Sequence, residues 1–173
     1  MPRCKECKQK FISKRFLQKT CDNIACALAY SRKQTQIEWK KEKKVLKESL
    51  KRKQDYEKDL EREFNKFIRI RDKDEPCISC DKPAGEYKLT AGHFYPAGTY
   101  KNLRFNEVNV HGQCWWNCNS NKSGNLLEYR PRLITKVGQP AVEELDRLRN
   151  VPARYTIPEL KEMIIKYRNL NKN

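Results

Sequence analysis

The pattern of apolar and charged positions is plainest in residues 31–72, which contain neither Gly nor Pro and are rich in Lys, Glu, Gln and Arg. This composition predicts a helix over the whole segment. The apolar positions follow a heptad repeat that charged residues interrupt. Such a broken repeat supports one long helix better than a coiled-coil dimer. We therefore expect a solvated helix that joins two modules and packs its C-terminal end on the second, with helix-mediated dimerisation as the alternative. The apolar a/d seam consists of Trp39, Leu46, Leu50, Leu60, Phe64 and Phe67, and Lys43, Lys53 and Glu57 interrupt it.

Helical periodicity returns in the last third of the chain. Residues 126–137 predict a helix that ends at Gly138, and residues 140–149 predict a second helix. A third follows Thr156, which forms a capping-box pattern with Glu159 and has Pro158 in its first turn. We expect these helices to cover a small β element and find no chemistry in them. The apolar faces are Val142, Leu145 and Leu148 in the second helix, and Leu160, Met163, Ile164 and Tyr167 in the third.

Strand character is confined to two short segments between these helical regions. Residues 87–90 can form a strand, the Pro-Ala-Gly sequence of residues 96–98 breaks it, and residues 108–112 can form the return strand. The pattern as a whole predicts an α+β protein with a minor sheet.

The composition limits the core that this pattern can build. Only 38% of the 173 residues are hydrophobic and 35% are charged, so another source of stability is needed. No segment approaches the roughly 20 apolar residues of a membrane span. The start, MPRCKECKQK, has no apolar stretch of the kind found in secretory signals. We therefore expect a reducing compartment, the cytoplasm, where disulfides are disfavoured.

The net charge of +16 narrows the choice of partners. A small domain needs a net charge of only about 2–8 for solubility, and the excess indicates binding to a polyanion. Nucleic acid is favoured over an acidic membrane surface, because no amphipathic membrane-binding helix accompanies the basic residues.

Eight cysteines in two groups supply the missing stability. Each group contains two closely spaced pairs, and two such pairs supply the four thiolates of a tetrahedral zinc site. Four thiolates leave no open position on the metal, so both sites are predicted to be structural. The first group is Cys4, Cys7, Cys21 and Cys26, and the second is Cys77, Cys80, Cys114 and Cys118.

Both histidines of the chain, His93 and His111, lie between Cys80 and Cys114, inside the loop that the second zinc would close. A lone histidine is usually a core or surface residue. The concentration of both imidazoles near Asn106, Asn109 and Asn119 favours a functional site, with His93 at the end of the first strand.

These motifs resemble the HNH, or ββα-metal, nucleases in their zinc-stapled form, and more closely the phage recombination endonuclease family NinG, also called Rap. The resemblance rests on the segments FIRIRDKDEPCISC, AGHFYPAG, LRFNEVNVHGQC and CNSNKSGN. It implies an N-terminal Cys4 knot (residues 1–30), a long charged helix (31–72), a zinc-stapled, treble-clef-like HNH core (73–138) and C-terminal helices packed on that core (139–173). It also implies a metal-dependent endonuclease that cuts branched recombination intermediates, such as Holliday junctions and D-loops, in the cytoplasm of a bacterial host.

The resemblance also assigns roles to residues. His93 matches the general base, Asn109 the residue that braces the loop, and Asn119 a ligand of a catalytic Mg²⁺ or Mn²⁺. Many such nucleases have Asp or His immediately before the base, where this chain has Gly92. Of the possible substitutes as second metal ligand, His111 is favoured over Glu107 and Thr90, because it would share a strand face with Asn109. Lys122 and Arg104 are the candidate DNA contacts.

Two other classes of function stay open at this point. One is a non-catalytic zinc-finger DNA-binding protein, and the other is an adaptor that binds phage or host recombination proteins through its N-terminal knot. A symmetric junction would suit a homodimer.

Overall fold

The computed structural model describes residues 1–172, which form two compact units that divide between Lys51 and Arg52. The first unit contains the N-terminal cysteines, an isolated β-bridge between Arg3 and Lys10, and helix α1 (Ile24–Ser49). The Asn23 side chain caps α1 by accepting a hydrogen bond from the backbone N–H of Ala25 at 2.8 Å. None of the 26 residues of α1, all within the described chain, is buried.

The single helix predicted for residues 31–72 is wrong, because the chain breaks after α1 and a second helix, α2 (Lys53–Arg71), follows. Arg52 is extended, and its backbone N–H donates to the carboxylate of Asp55 at 2.9 Å. This side chain–backbone bond starts a new helix where composition alone signals none. The predicted packing of the segment's C-terminal end is confirmed, since Leu60, Phe64 and Ile68 of α2 are fully buried.

The second unit contains α2 and a two-stranded antiparallel sheet made of β1 (Leu89–His93) and β2 (Val110–Cys114). The register pairs Leu89 with Cys114 at one end and His93 with Val110 at the other. The hairpin is thus the predicted one, but both strands begin two residues later in the chain than predicted. A short 3₁₀ turn (Lys101–Leu103) lies in the connecting loop.

One wide helical turn (Trp115–Ser120), called the wide turn below, follows β2 and leads to three further helices. They are α3 (Leu126–Val137), α4 (Gln139–Leu148) and α5 (Ile157–Leu170). Gly138 ends α3 with φ of +87°, as predicted. The capping box of α5 is confirmed, with the Thr156 N–H donating to Glu159 at 2.7 Å.

Two apolar clusters hold the second unit together. Helices α2 and α5 pack against each other and over Val110 of β2. Helices α3 and α4 pack on the loop that follows β1, through Tyr129, Leu133, Val142 and Leu145. The prediction that the C-terminal helices cover the β element is therefore wrong for most of their surface. Helix α2 packs on both strands, α3 reaches β1 through the bond from Tyr129 OH to Gly92 O, and α5 packs mainly on α2. Within residues 1–172 the structure has no helix both long and apolar enough to cross a membrane.

Candidate functional site

The second cysteine group forms a cluster that can hold a metal ion. The Cys77 Sγ lies 3.5 Å from that of Cys114 and 4.0 Å from that of Cys118, and Cys80 Sγ lies 3.6 Å from Cys114 Sγ. Four sulfurs at about 2.3 Å from a tetrahedral zinc would be roughly 3.8 Å apart. A disulfide would bring two sulfurs to about 2.05 Å. The spacing therefore fits a Cys4 zinc site.

Backbone hydrogen bonds bring these four cysteines together. Cys80 N–H donates to Cys77 O at 3.3 Å in a tight turn, and Ile78 N–H donates to Gly112 O at 3.1 Å, which fastens that turn to β2. Cys114 is the last residue of β2, and Cys118 lies in the wide turn. Burial raises the pKa of the Cys77 thiol to about 11, so the thiolate form at this position requires a cation.

The first cysteine group forms a second cluster of the same kind. Its four sulfurs lie within 4.8 Å of one another, and Cys7 Sγ is 3.9 Å from Cys21 Sγ. The predicted grouping of the eight cysteines into two sets is thus confirmed, and each set can hold one zinc ion.

His93 occupies the last position of β1 and is half-buried. Its Nε2 lies 3.0 Å from the backbone carbonyl oxygen of Arg104. A carbonyl only accepts, so Nε2 carries the proton and Nδ1 is the basic nitrogen. Residues 1–172 supply no hydrogen bond to Nδ1. Burial lowers the pKa of His93 below its ordinary value and keeps the ring neutral near pH 7.

Asn109 holds the loop that contains Arg104, whose carbonyl accepts the hydrogen bond from His93. The side chain is fully buried, and its Oδ1 accepts from Tyr95 N–H at 2.8 Å. Its Nδ2 donates to the carbonyls of Tyr95 and Leu103, both at 3.0 Å. Asn109 thus ties Tyr95, the second residue after β1, to Leu103, the residue before Arg104. This is the loop that the family resemblance expects Asn109 to brace.

Asn119 lies in the wide turn, in the segment that returns towards His93. Its backbone carbonyl accepts from Gly124 N–H at 3.2 Å. A Cβ placed on Gly124 would lie 3.9 Å from the carbonyl oxygen of His93. Among the described residues, none is hydrogen-bonded to the Asn119 side-chain amide, which is half-buried. The amide oxygen is therefore available to a ligand.

The prediction that His111 is a metal ligand does not fit the structure. The ring is buried, its Nε2 donates to Val108 O at 3.0 Å, and Arg71 donates to its Nδ1, also at 3.0 Å. Nδ1 thus joins β2 to α2, and Nε2 joins it to the loop before β2, so both nitrogens are engaged. Arg71 also forms a two-bond pair with the buried Asp72, which accepts from Gly112 N–H at 2.7 Å.

The same network sets the charge of these groups. Burial and the Arg71 guanidinium lower the pKa of His111 to about 4. Burial by itself would raise the pKa of Asp72, but the bonds from Arg71 and Gly112 outweigh it and hold that pKa below its ordinary value. His111 is therefore neutral and Asp72 ionised at neutral pH.

The environments of the two histidines predict how the stability of the protein depends on pH. Both have folded-state pKa values below the ordinary 6.5, so the unfolded chain binds more protons as the pH falls through 6.5. The free energy of unfolding should therefore fall between pH 6.5 and 4, and be fully restored above pH 6.5.

Because the chain has only two histidines, long-range ¹H–¹⁵N NMR can follow each ring. We expect Nε2–H tautomers for both, with His111 neutral down to about pH 4. Titration of His111 near pH 6.5 would contradict its pairing with Arg71.

The absence of a side chain at Gly92 has a packing cause. A Cβ at this position would overlap Oε1 of Gln113 and lie 2.8 Å from its Cβ and 2.9 Å from its Cδ. Gln113 is fully buried, and its Nε2 donates to Ser79 Oγ at 2.6 Å and to Gly124 O at 2.7 Å. Gln113 thus fills the space that any side chain at position 92 would need.

Gly92→Ala should therefore destabilise the protein by about 1–3 kcal/mol, as overpacked cores do, because Gln113 cannot move without breaking both of its hydrogen bonds. Gly98→Ala is the matched control, since a Cβ there meets nothing within 4 Å among the described residues. Urea denaturation of the zinc-loaded proteins measures the difference. Equal midpoints for the two variants would show that the Gly92–Gln113 contact is unimportant.

The other residues predicted as DNA contacts or metal ligands do not form one site with His93 and Asn119. The Arg104 guanidinium, a predicted DNA contact, pairs with Glu61 at 2.6 Å, and the Arg104 carbonyl accepts the hydrogen bond from His93. The Glu107 carboxylate accepts from Lys166 and Tyr167, both at 2.9 Å, and Thr90 pairs with Gln113 in the sheet. Neither is presented as a metal ligand. Lys122 is exposed in the segment after the wide turn.

Sequence reasoning missed the roles of Arg71, Asp72 and Gln113. All three lie within the segments that carry the family resemblance. Periodicity gives no sign of them, because each acts through a partner about 20 to 40 residues away.

Comparison with known proteins places the chain among phage proteins. The family model described as "Bacteriophage Lambda NinG protein" matches residues 1–173. "Protein ninG" of Escherichia phage lambda is 42% identical over 124 residues, which are 72% of this chain and 59% of the phage protein. The proteins of the same name from Escherichia phage 933W and Enterobacteria phage H19B are 40% and 42% identical over 72% and 68% of the chain. The chain covers about three fifths of the length of these curated relatives. No solved structure matches it.

Proposed function

The chain belongs to the NinG family, and from that premise we propose that it is a divalent-metal-dependent endonuclease that cuts branched DNA. In this proposal the β1–β2 hairpin, the second cysteine cluster and the helical segment after it form an HNH-type ββα-metal core. The substrates are branched recombination intermediates, of which a four-way junction is the simplest representative.

The geometry of His93 is the observation that carries the proposal. Its Nε2 is fixed by the Arg104 carbonyl, which leaves Nδ1 as the proton acceptor. Asn109 holds both ends of the loop that carries this carbonyl. A neutral, oriented imidazole at the edge of a hairpin has what a general base needs.

The chemistry assigned to the chain is a hydrolysis. His93 Nδ1 takes a proton from a water molecule as the water oxygen attacks phosphorus, and the bond from phosphorus to the leaving oxygen breaks. The imidazolium that forms keeps its hydrogen bond to Arg104 O. Asn119 is the residue that would hold a Mg²⁺ or Mn²⁺ ion, with waters and phosphate oxygens as the other ligands. When bound, that ion would neutralise charge that develops on the phosphate and the leaving oxygen.

The distribution of charge supports DNA as the partner. Residues 1–51 contain 15 Lys and Arg against 5 Asp and Glu, a net charge of +10. In the hairpin region, residues 87–127, Glu107 is the only acidic residue, and its carboxylate is bound by Lys166. Glu61 of α2, whose charge also acts on His93, is paired with Arg104 at 2.6 Å. With both carboxylates paired, a phosphate backbone can approach the surface around His93 with little repulsion.

The proposal is tested by incubating the full zinc-loaded chain with an end-labelled four-way junction, a flap and a linear duplex, each with and without added Mg²⁺ or Mn²⁺. We expect metal-dependent strand cleavage of the branched substrates and much slower cleavage of the duplex. Tight binding of the junction without cleavage under any metal condition would contradict the proposal and favour a non-catalytic zinc-finger DNA-binding protein.

A further inference from the structure

Two adjacent tryptophans stand on the surface of the second unit. Trp115 and Trp116 are 41% and 58% exposed, and their ring centroids are 5.6 Å apart with planes inclined by 36°. Tryptophan is highly buried on average. A fully packed aromatic side chain buries roughly 150–250 Å², and about half of each of these two side chains is still exposed. Two neighbouring rings left accessible in one turn are therefore available to a partner.

The backbone that carries these rings is firmly held. Trp115 N–H donates to Lys88 O at 2.9 Å, and Asn121 N–H donates to Trp116 O at 3.0 Å. Cys114 and Cys118, two members of the second cysteine cluster, flank the pair. The rings thus project from a fixed turn, and little ordering entropy is lost when a partner binds them.

The charges around the pair indicate the chemistry of that partner. The Lys88 ammonium lies 4.9 Å from the centroid of the Trp115 ring, and Lys122 is exposed a few residues later. The chain has no acidic residue between Glu107 and Glu128. Flat aromatic rings beside cations match a nucleobase joined to a phosphate, and stacking on such rings tolerates any base sequence.

We infer that Trp115 and Trp116 form a stacking site for unpaired or splayed bases at a DNA branch point. Within a continuous duplex every base is already stacked on its neighbours, so the site distinguishes branched from linear DNA. This deepens the proposed function and rests on it for the identity of the bound DNA.

The position of the site relative to His93 fits this role. Cys114, which precedes the pair, is opposite Leu89 in the sheet, and His93 lies at the other end of β1. Four residue steps of about 3.4 Å separate the ends of the strand by roughly 14 Å. A nucleic acid strand advances about 3.4 Å per nucleotide. A base stacked on the tryptophans would thus lie at most about four nucleotides from the phosphate at His93, because an unstacked strand advances further per nucleotide than a duplex strand.

The test uses intrinsic fluorescence and binding without added Mg²⁺ or Mn²⁺. In a Trp39→Phe protein, Trp115 and Trp116 are the only tryptophans left of the three. We expect a four-way junction to quench their emission and a linear duplex of equal length to quench it little. Trp115→Ala/Trp116→Ala should weaken junction binding by about tenfold or more and duplex binding by less than about twofold. Phenylalanine at both positions should retain most of the junction affinity.

Leu127→Ala is the matched control, because Leu127 is 91% exposed and apolar but not aromatic, and its junction affinity should equal that of wild type. Zinc content checks the fold of each variant. If the alanine variant loses zinc, the quenching of the Trp39→Phe protein alone tests whether the two tryptophans contact the junction. Unquenched emission on the junction, or equal losses of junction and duplex binding in a zinc-loaded alanine variant, would overturn the inference. A protein that is quenched by junctions but never cuts them would refute the proposed nuclease function and leave the stacking site standing.

Discussion

Replacing His93 with alanine should lower the rate of junction cleavage by about 10²–10⁴-fold, the range typical of losing a general base. Its Nε2 contacts a backbone carbonyl and is not a zinc ligand. DNA affinity and zinc content should therefore stay at wild-type levels. His93→Gln is the conservative companion, because its amide can still donate to the Arg104 carbonyl but cannot act as a base. Single-turnover cleavage of a labelled four-way junction measures all three proteins.

Asn119→Ala separates metal binding from proton transfer. Its cleavage rate should also fall, but raising the Mg²⁺ or Mn²⁺ concentration should recover part of that rate, since the base is intact. The rate of His93→Ala should not recover. Cleavage by His93→Ala as fast as wild type, in a preparation free of contaminating nuclease, would show that His93 is not the base.

Cys80→Ser should unfold the hairpin core. The core should then lose junction binding, and cleavage should be lost with it. Cys80 is exposed, so a serine there would cost little if the thiol had no further role. If it is one of four ligands of a zinc ion, as the cluster geometry allows, it supports a binding free energy of about 10–16 kcal/mol, which equals or exceeds the whole stability of a typical domain. Zinc content should fall from two ions to one per chain, with a loss of β structure by circular dichroism.

Cys7→Ser is the matched control for that experiment. Cys7 is the exposed thiol of the first cluster, which belongs to the other compact unit. Its zinc content should also fall to one, yet the hairpin and its cleavage chemistry should persist. A Cys80→Ser protein with two zinc ions and full activity would contradict the assignment of this cysteine cluster.

The local signals of the sequence located most of the second unit correctly. Gly138 and the Thr156–Glu159 pair mark helix ends because they act within one turn of the chain. The spacing of the cysteines was sufficient to predict the two metal clusters for the same reason, since the members of each pair are only three to five residues apart. The expected position of His93, at the end of the first strand, follows from the Pro-Ala-Gly break after it.

The errors lie where a distant or weak contact decides the structure. The helix break at Arg52 depends on one hydrogen bond from its N–H to Asp55, in a segment whose composition favours helix throughout. Strand alternation suggested His111 as a ligand, but Arg71, which is 40 residues away, engages its Nδ1. Likewise, only the fold shows that Gln113 occupies the space beside Gly92.

The pH dependence of junction cleavage tests the central claim most directly, because it asks at once whether the chain cuts DNA and whether the half-buried His93 is the base. It is measured with trace junction and subsaturating wild-type protein in Mg²⁺, where the rate reports the pKa of the free protein. Since burial lowers the pKa of His93, the rate should rise with pH, with a midpoint below 6.5, and then level off. Absence of cleavage at every pH, or a rate that does not change between pH 5 and 7, would contradict the account.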